Sequence, residues 1–285
     1  MALLRVGFHV SIVGAIDEAV DRAAALGCNT FQIFTRTPRA WGAKDLSDGE
    51  VSAFIEKVEK YGMSPVFAHM PYLVNLASAK DEVYRLSVET LKAELARCGR
   101  LRVPFLVTHL GSHLGFGKRR GLERIVEAVD EVYEASGSSV MLLLENTAGT
   151  RNSMGGSFRD IQRIIEGLAF QERVGVCLDT AHAYAAGYDL GGEAAVEGTL
   201  RRFDSTVGFE RLKLVHLNDS RGGLGSRIDR HEHIGRGLIG ERGFRAILHS
   251  RFGGLPLILE TPKEDENSDI DNLRKVRELA GELEA

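Results

Sequence analysis

Cysteine is scarce in this chain. Cys28, Cys98 and Cys177 are the only three in 285 residues, too few and too scattered for a disulfide framework or a thiolate zinc site. Long apolar runs are also missing, so nothing in the sequence is long enough to cross a bilayer. The opening stretch, MALLRVGFHV, lacks the cationic segment, apolar core and cleavage site of a secretory leader. Together these absences predict reduced, buried thiols and a cytoplasmic protein with no membrane partner. Pro-rich or Ser-rich linkers are lacking too, so residues 1–285 are expected to form one domain. A formal charge of -4 argues at first against a nucleic-acid partner, since proteins that bind phosphates are usually basic.

What is present is alternation. Eight continuous apolar runs recur: Val6–Val10, Thr30–Phe34, Pro65–Met70, Phe105–Leu110, Val140–Leu144, Val174–Leu178, Leu212–Leu217 and Leu255–Leu259. Runs without polar alternation suit strands buried on both faces, as in a parallel sheet. A segment of helical spacing follows each one, covering 16–26, 48–61, 81–101, 122–135, 158–168, 193–203, 241–252 and 270–283. Ser47 and Ser157 are placed to cap helix starts, and Gly27, Gly62 and Gly137 follow helix ends. The fold class predicted is α/β, a (β/α)8 TIM barrel, with a doubly wound sheet as the competitor.

The chemistry lies where the runs end. His9, His69, His109, Glu145, Asp179, His216 and Glu260 close runs one and three to eight, and from His69 onward the gaps are 40, 36, 34, 37 and 44 residues. Those gaps match the length of a βα unit, and parallel barrel strands converge at their C-terminal ends on the face that carries active sites. A lone histidine at a strand end is more often a satisfied structural group. Six successive strands ending in His, Asp or Glu are hard to explain that way, because unpaired buried charges cost several kcal/mol each. Divalent ions remove that cost. Further candidates are His182, three residues after Asp179, and Asp229 with His231, whose spacing puts both on one side of an extended backbone. Five histidines and four carboxylates suit zinc, manganese or iron, and nine ligands are more than one ion uses. Two or three clustered ions are a recurring device for phosphoryl-ester hydrolysis.

These residues sit in segments that resemble the endonuclease IV class of apurinic/apyrimidinic DNA-repair endonucleases. The matching stretches are His9-Val10-Ser11, Phe34-Thr35 through Arg39-Ala40-Trp41, His69 through Leu76, His109 through His113 and Glu145 through Gly149. They continue with Gly175 through His182, His216 through Ser220, Gly225 through His231, Ile234 through Gly237, and Glu260-Thr261-Pro262. Departures are confined to Ala15 and to the triplet Arg36-Thr37-Pro38. The resemblance implies three Zn2+ per chain, with Mn2+ or Fe at some positions. His69, His109 and Glu145 would hold one ion, Asp179, His216 and Glu260 with bridging Glu145 a second, and His182, Asp229 and His231 the third; Glu145 and Glu260 would also be the catalytic carboxylates. The implied reaction is hydrolysis of the phosphodiester 5′ to an abasic site in double-stranded DNA, leaving a 3′-hydroxyl and a 5′-deoxyribose phosphate, with no obligate protein partner.

Three such ions would move the net charge from -4 to about +2, with the gain at the barrel mouth. Arg36, Arg39, Lys118-Arg119-Arg120, Arg227, Arg230 and Arg236 are expected on that face. Arg39, Tyr72 and Leu73 match the family's stack-penetrating positions, and Arg230 is expected to be a further DNA contact. His9 would orient a ligand or touch phosphate, His113 and His233 would be structural or supporting groups, and His249 a surface group. The main rival is a divalent-metal sugar isomerase or epimerase on the same barrel type, which needs only about one or two ions. A non-catalytic metal-storing or damage-binding module is the rival from another class.

Overall fold

Eight parallel strands form the centre of the molecule, in the order β1(Val6–Phe8), β10(Leu257–Leu259), β7(Leu212–His216), β6(Val174–Asp179), β5(Met141–Glu145), β4(Phe105–His109), β3(Val66–His69) and β2(Phe31–Phe34). The structure, a computed structural model, describes residues 4–265 and 267–282. A parallel bridge between His9 and Gln32 joins the two ends of that order, and the Val10 amide donates to the Gln32 carbonyl at 2.9 Å. The sheet is therefore a closed TIM barrel. Gly7 makes the seam possible, since a Cβ there would lie 1.7 Å from the Thr30 carbonyl oxygen.

All eight expected strands and all eight expected helices are present: α1(Glu18–Ala25), α2(Asp48–Tyr61), α3(Asp81–Arg100), α4(Lys118–Ser136), α5(Phe158–Gly167), α7(Glu193–Thr206), α8(Gly240–His249) and α9(Ser268–Leu279). Ser47 starts α2 with a full capping box, its side chain accepting from the Glu50 amide while the Glu50 side chain reaches back. Ser157 caps α5, and Gly62 and Gly137 end α2 and α4 in the left-handed conformation. A short helix, α6(Thr180–Ala185), and a two-stranded pair, β8(Asp219–Ser220) with β9(His231–Glu232), were not expected. Among the described residues no helix is long and apolar enough to cross a membrane.

The barrel interior explains why ligand-type residues end the strands. Phe67, Val107, Leu143, Cys177, Leu214 and Ile258 form one inward apolar layer, packed on Phe105 and Met141 below. Side chains alternate along a strand, so the residue two positions on points inward again. Those next residues are His69, His109, Glu145, Asp179, His216 and Glu260. The polar ring is thus the layer stacked directly on the dry core of the barrel, at the C-terminal face.

Candidate metal centre

Three groups of potential ligands share members. His69, His109 and Glu145 form one, Glu145, Asp179, His216 and Glu260 a second, and Asp179, His182 and His231 a third; within each group the donor atoms lie within 4.8 Å of one another. Glu145 belongs to the first and second groups and Asp179 to the second and third, so the sites run continuously. Glu145 Oε2 lies 3.2 Å from His69 Nε2 and 3.3 Å from His109 Nε2, and its Oε1 is 3.3 Å from His216 Nδ1. Asp229 reaches in from the β8–β9 loop with Oδ1 3.1 Å from His182 Nε2.

Four of the five ligand-type imidazoles are aimed by their other nitrogen. The Met70 carbonyl lies 2.7 Å from His69 Nδ1, the Asn146 carbonyl 3.0 Å from His182 Nδ1, and the Glu260 carbonyl 3.1 Å from His231 Nδ1. His216 is turned the other way: Gln32 Oε1 lies 2.9 Å from its Nε2, which leaves Nδ1 facing Glu145. Carbonyls that fix one ring nitrogen and free the other are the usual support of metal-binding histidines.

The carboxylates are equally braced. Asp179 caps α6, its Oδ1 accepting from the His182 amide at 2.7 Å, and its Oδ2 accepts from Asn218 Nδ2 at 2.7 Å. His182 therefore sits on the first turn of a helix. Asn146 pairs with the Asp179 backbone through both side-chain atoms. Glu260 Oε1 accepts from Gln32 Nε2 at 2.8 Å and lies 3.1 Å from His9 Nδ1.

Several observations fit cations here. Glu145 and Asp179 are fully buried, yet among the described residues no lysine or arginine pairs with either of them or with Glu260. Burial alone would push the Glu145 carboxyl up, but His109, His216 and His182 outweigh it and hold that group well below the ordinary carboxylate range. Burial likewise opposes a proton on His182, yet Asp179, Asp229 and Glu145 hold its pKa well above that of a free imidazole. A field strong enough to keep protons on buried imidazoles is one in which divalent ions displace those protons. His231 Nε2 is buried without a hydrogen-bond partner, 3.5 Å from Asp179 Oδ2. A metal would satisfy it.

A family model described as xylose isomerase-like TIM barrel matches residues 20–282. A protein of Methanoculleus marisnigri named probable endonuclease 4 is 53% identical over 98% of this chain and 100% of its own. The chain belongs to the endonuclease IV family. The crystal structure of endonuclease IV from Thermus thermophilus superposes with a TM-score of 0.88 at 40% identity, covering 98% of this chain and 100% of that one. A D-tagatose 3-epimerase-like protein also superposes, with a TM-score of 0.71 at 20% identity over 97% and 98% of the two chains. That likeness extends to the fold alone.

In this endonuclease IV family member the mouth above the ligand groups opens into a cavity of about 470 Å3, bordered by His9, Phe34, Tyr72, Thr261 and Lys263 as well as by ligand-type residues. Tyr72 is 65% exposed and Leu73 36% exposed at its rim, and Arg39 and Arg230 are also exposed. Tyr72 stands edge-on to Phe34, ring centroids 5.1 Å apart.

Some sequence expectations need correction. Arg36 is not a mouth cation: it is buried, and its Nε donates to Glu94 at 2.5 Å. Lys118, Arg119 and Arg120, whose place before the expected helix 122–135 implied a loop, instead form the first turn of α4, and pair with Asp160, Glu123 and Glu127. Cations oppose the dipole at a helix start, and these carboxylates offset that. His113 accepts from the Gly115 and Gly117 amides, and His233 contacts Asn272; both are structural, and His249 is exposed on α8. His9 does support Glu260.

Sequence reasoning missed Gln32, Asn146 and Asn218, which orient the ligand groups. A signal existed for Gln32, the one polar residue in Phe31–Phe34. Asp219 was missed as well. Its carboxylate accepts from the amides of Ser220, Gly235, Gly237, Ile239 and Gly240 and so shapes the loop after His231.

Proposed function

We propose that the protein is a DNA-repair endonuclease that hydrolyses the phosphodiester 5′ to abasic sites in duplex DNA, leaving a 3′-hydroxyl and a 5′-deoxyribose phosphate, with three Zn2+ ions. The observation that carries this reading is the sharing of Glu145 and Asp179 among three ligand groups. A sugar epimerase needs one or two ions, which would leave His182, Asp229 and His231 without work.

In this reading His69, His109 and Glu145 would hold one ion, and Glu145, Asp179, His216 and Glu260 the next. His182, Asp229 and His231 would hold the third, with Asp179 also within reach of His182 and His231. When bound, such ions lower the pKa of water and neutralise charge developing on a phosphodiester and its leaving oxygen. The chain's own residues do the rest. Gln32 and His9 fix the Glu260 carboxylate, Asn146 and Asn218 fix Asp179, and the apolar layer beneath keeps water from reaching the ligands from below. Tyr72, Leu73 and Arg39 occupy the gap left where a base is missing, which costs least where nothing is stacked. Arg230, beside Asp229, meets the phosphate backbone. A DNA-repair role fits an intracellular, cytoplasmic location.

The test uses a duplex with a single tetrahydrofuran abasic analogue, an intact duplex, and a ketohexose. Incision 5′ to the analogue, lost on adding chelator and absent on intact DNA, is expected. Epimerisation of the sugar without incision would establish the rival reading.

A further inference from the structure

The loop between β2 and α2 carries Arg39 and is fastened from beneath by one face of α3. Glu94, Arg97 and Arg100 recur every three residues on that helix and share a side. The Glu94 carboxylate is fully buried and accepts from Arg36 Nε and from Thr35 Oγ1, the latter at 2.7 Å. Arg97 donates to Thr35 Oγ1 at 2.9 Å, to the Thr35 carbonyl, and to the Lys44 carbonyl at 2.9 Å. Arg100 holds the Leu46 carbonyl at 2.7 Å, and Arg36 turns back to hold the Trp41 carbonyl at 3.1 Å. The start, middle and end of the loop are thus tied to α3 through its backbone oxygens. Its outermost stretch is tied to the neighbouring wedge, because the Tyr72 amide donates to the Pro38 carbonyl at 3.1 Å.

We propose that Glu94, Arg97 and Arg36 are positioning residues for DNA binding, which hold Arg39 and Tyr72 as one preformed wedge. The inference rests on the reading that this rim meets DNA. None of the three touches the ligand groups, and a buried ion pair is a poor source of net stability, since apolar replacements often serve as well. Its value here is geometric. A guanidinium clamped to a buried carboxylate has no freedom to turn, so the Trp41 carbonyl it holds is fixed too. A loop ordered before binding spares the complex the entropy of ordering it.

The test compares Glu94→Gln, Arg97→Met and Arg39→Ala with the unaltered metal-loaded enzyme. Three readouts are taken: KM and kcat for incision of the abasic-analogue duplex, hydrolysis of bis(p-nitrophenyl) phosphate, and the rate of trypsin cleavage after Arg39 and Lys44. Glu94→Gln and Arg97→Met should each raise KM for the duplex by roughly tenfold or more and speed cleavage within the loop. The small diester, which needs no wedge, should be hydrolysed as before, with metal content unchanged. Should Glu94→Gln fail to fold, Arg97→Met alone carries the test, because it leaves the Arg36–Glu94 pair intact. Unchanged KM and unchanged cleavage would overturn the proposal, as would a parallel loss of both hydrolytic activities, which marks a merely structural role. If Arg39→Ala leaves KM unaltered while Glu94→Gln accelerates cleavage, the anchor stands and the DNA reading of the rim fails instead.

Discussion

Replacing Gln32 with Leu removes one side chain that steers two ligand groups. Gln32 is fully buried; its Oε1 fixes His216 Nε2 at 2.9 Å and its Nε2 donates to Glu260 Oε1 at 2.8 Å. Leucine has a similar volume, so the change leaves no large cavity and isolates the polar loss. His216 then has no partner for Nε2, and its ring is free to present the wrong nitrogen to Glu145. Glu260 Oε1 loses one of its two side-chain partners and keeps His9. Each unsatisfied buried group costs about 1–3 kcal/mol, and loss of such supporting contacts typically weakens metal binding by about 10- to 100-fold. The expected result is a drop of that size for one ion, read by competition with a chromogenic chelator. The ion proposed for His69 and His109 should leave at the same chelator concentration as in the unaltered protein. Three ions of unaltered affinity in Gln32→Leu would refute the steering role.

Tyr72→Ala removes an exposed ring from the rim; affinity for abasic-analogue duplex in a direct titration should fall by about 1–3 kcal/mol, the usual worth of a stacked base, with metal content unchanged. Equal affinity would remove the wedge. Cys28 and Cys177 are buried, and burial pushes each thiol up to about 12. A raised pKa leaves almost no thiolate at pH 8, so an aromatic disulfide reagent should label neither until denaturant is added. Prompt labelling in the native protein would contradict the burial of these two thiols.

How far the sequence led depended on how local the determinants were. The convergence of six ionisable side chains from the strand ends was legible because barrel periodicity and side-chain alternation both act within one βα unit, so Phe67 and His69 necessarily share the barrel interior. Asp229 and His231 could be read because they are neighbours in an extended stretch. Arg36 was misread because its partner, Glu94, is 58 residues away, and an arginine after a strand looks the same whether it faces solvent or a buried carboxylate. The helix Thr180–Ala185 escaped because six residues cannot show a helical period; it forms because Asp179 caps it. Gln32, Asn146 and Asn218 were passed over because an amide carries no charge to mark a site, although amides can donate and accept at once and so brace a ligand from behind.

Three ligand groups linked through Glu145 and Asp179 imply three ions, and that number decides the proposed reading. The most direct measurement is the metal content of the native protein by elemental analysis against protein concentration. About three zinc ions per chain are predicted, falling when Asp179 is replaced by Asn; a single divalent ion per chain, unaffected by Asp179→Asn, would contradict it.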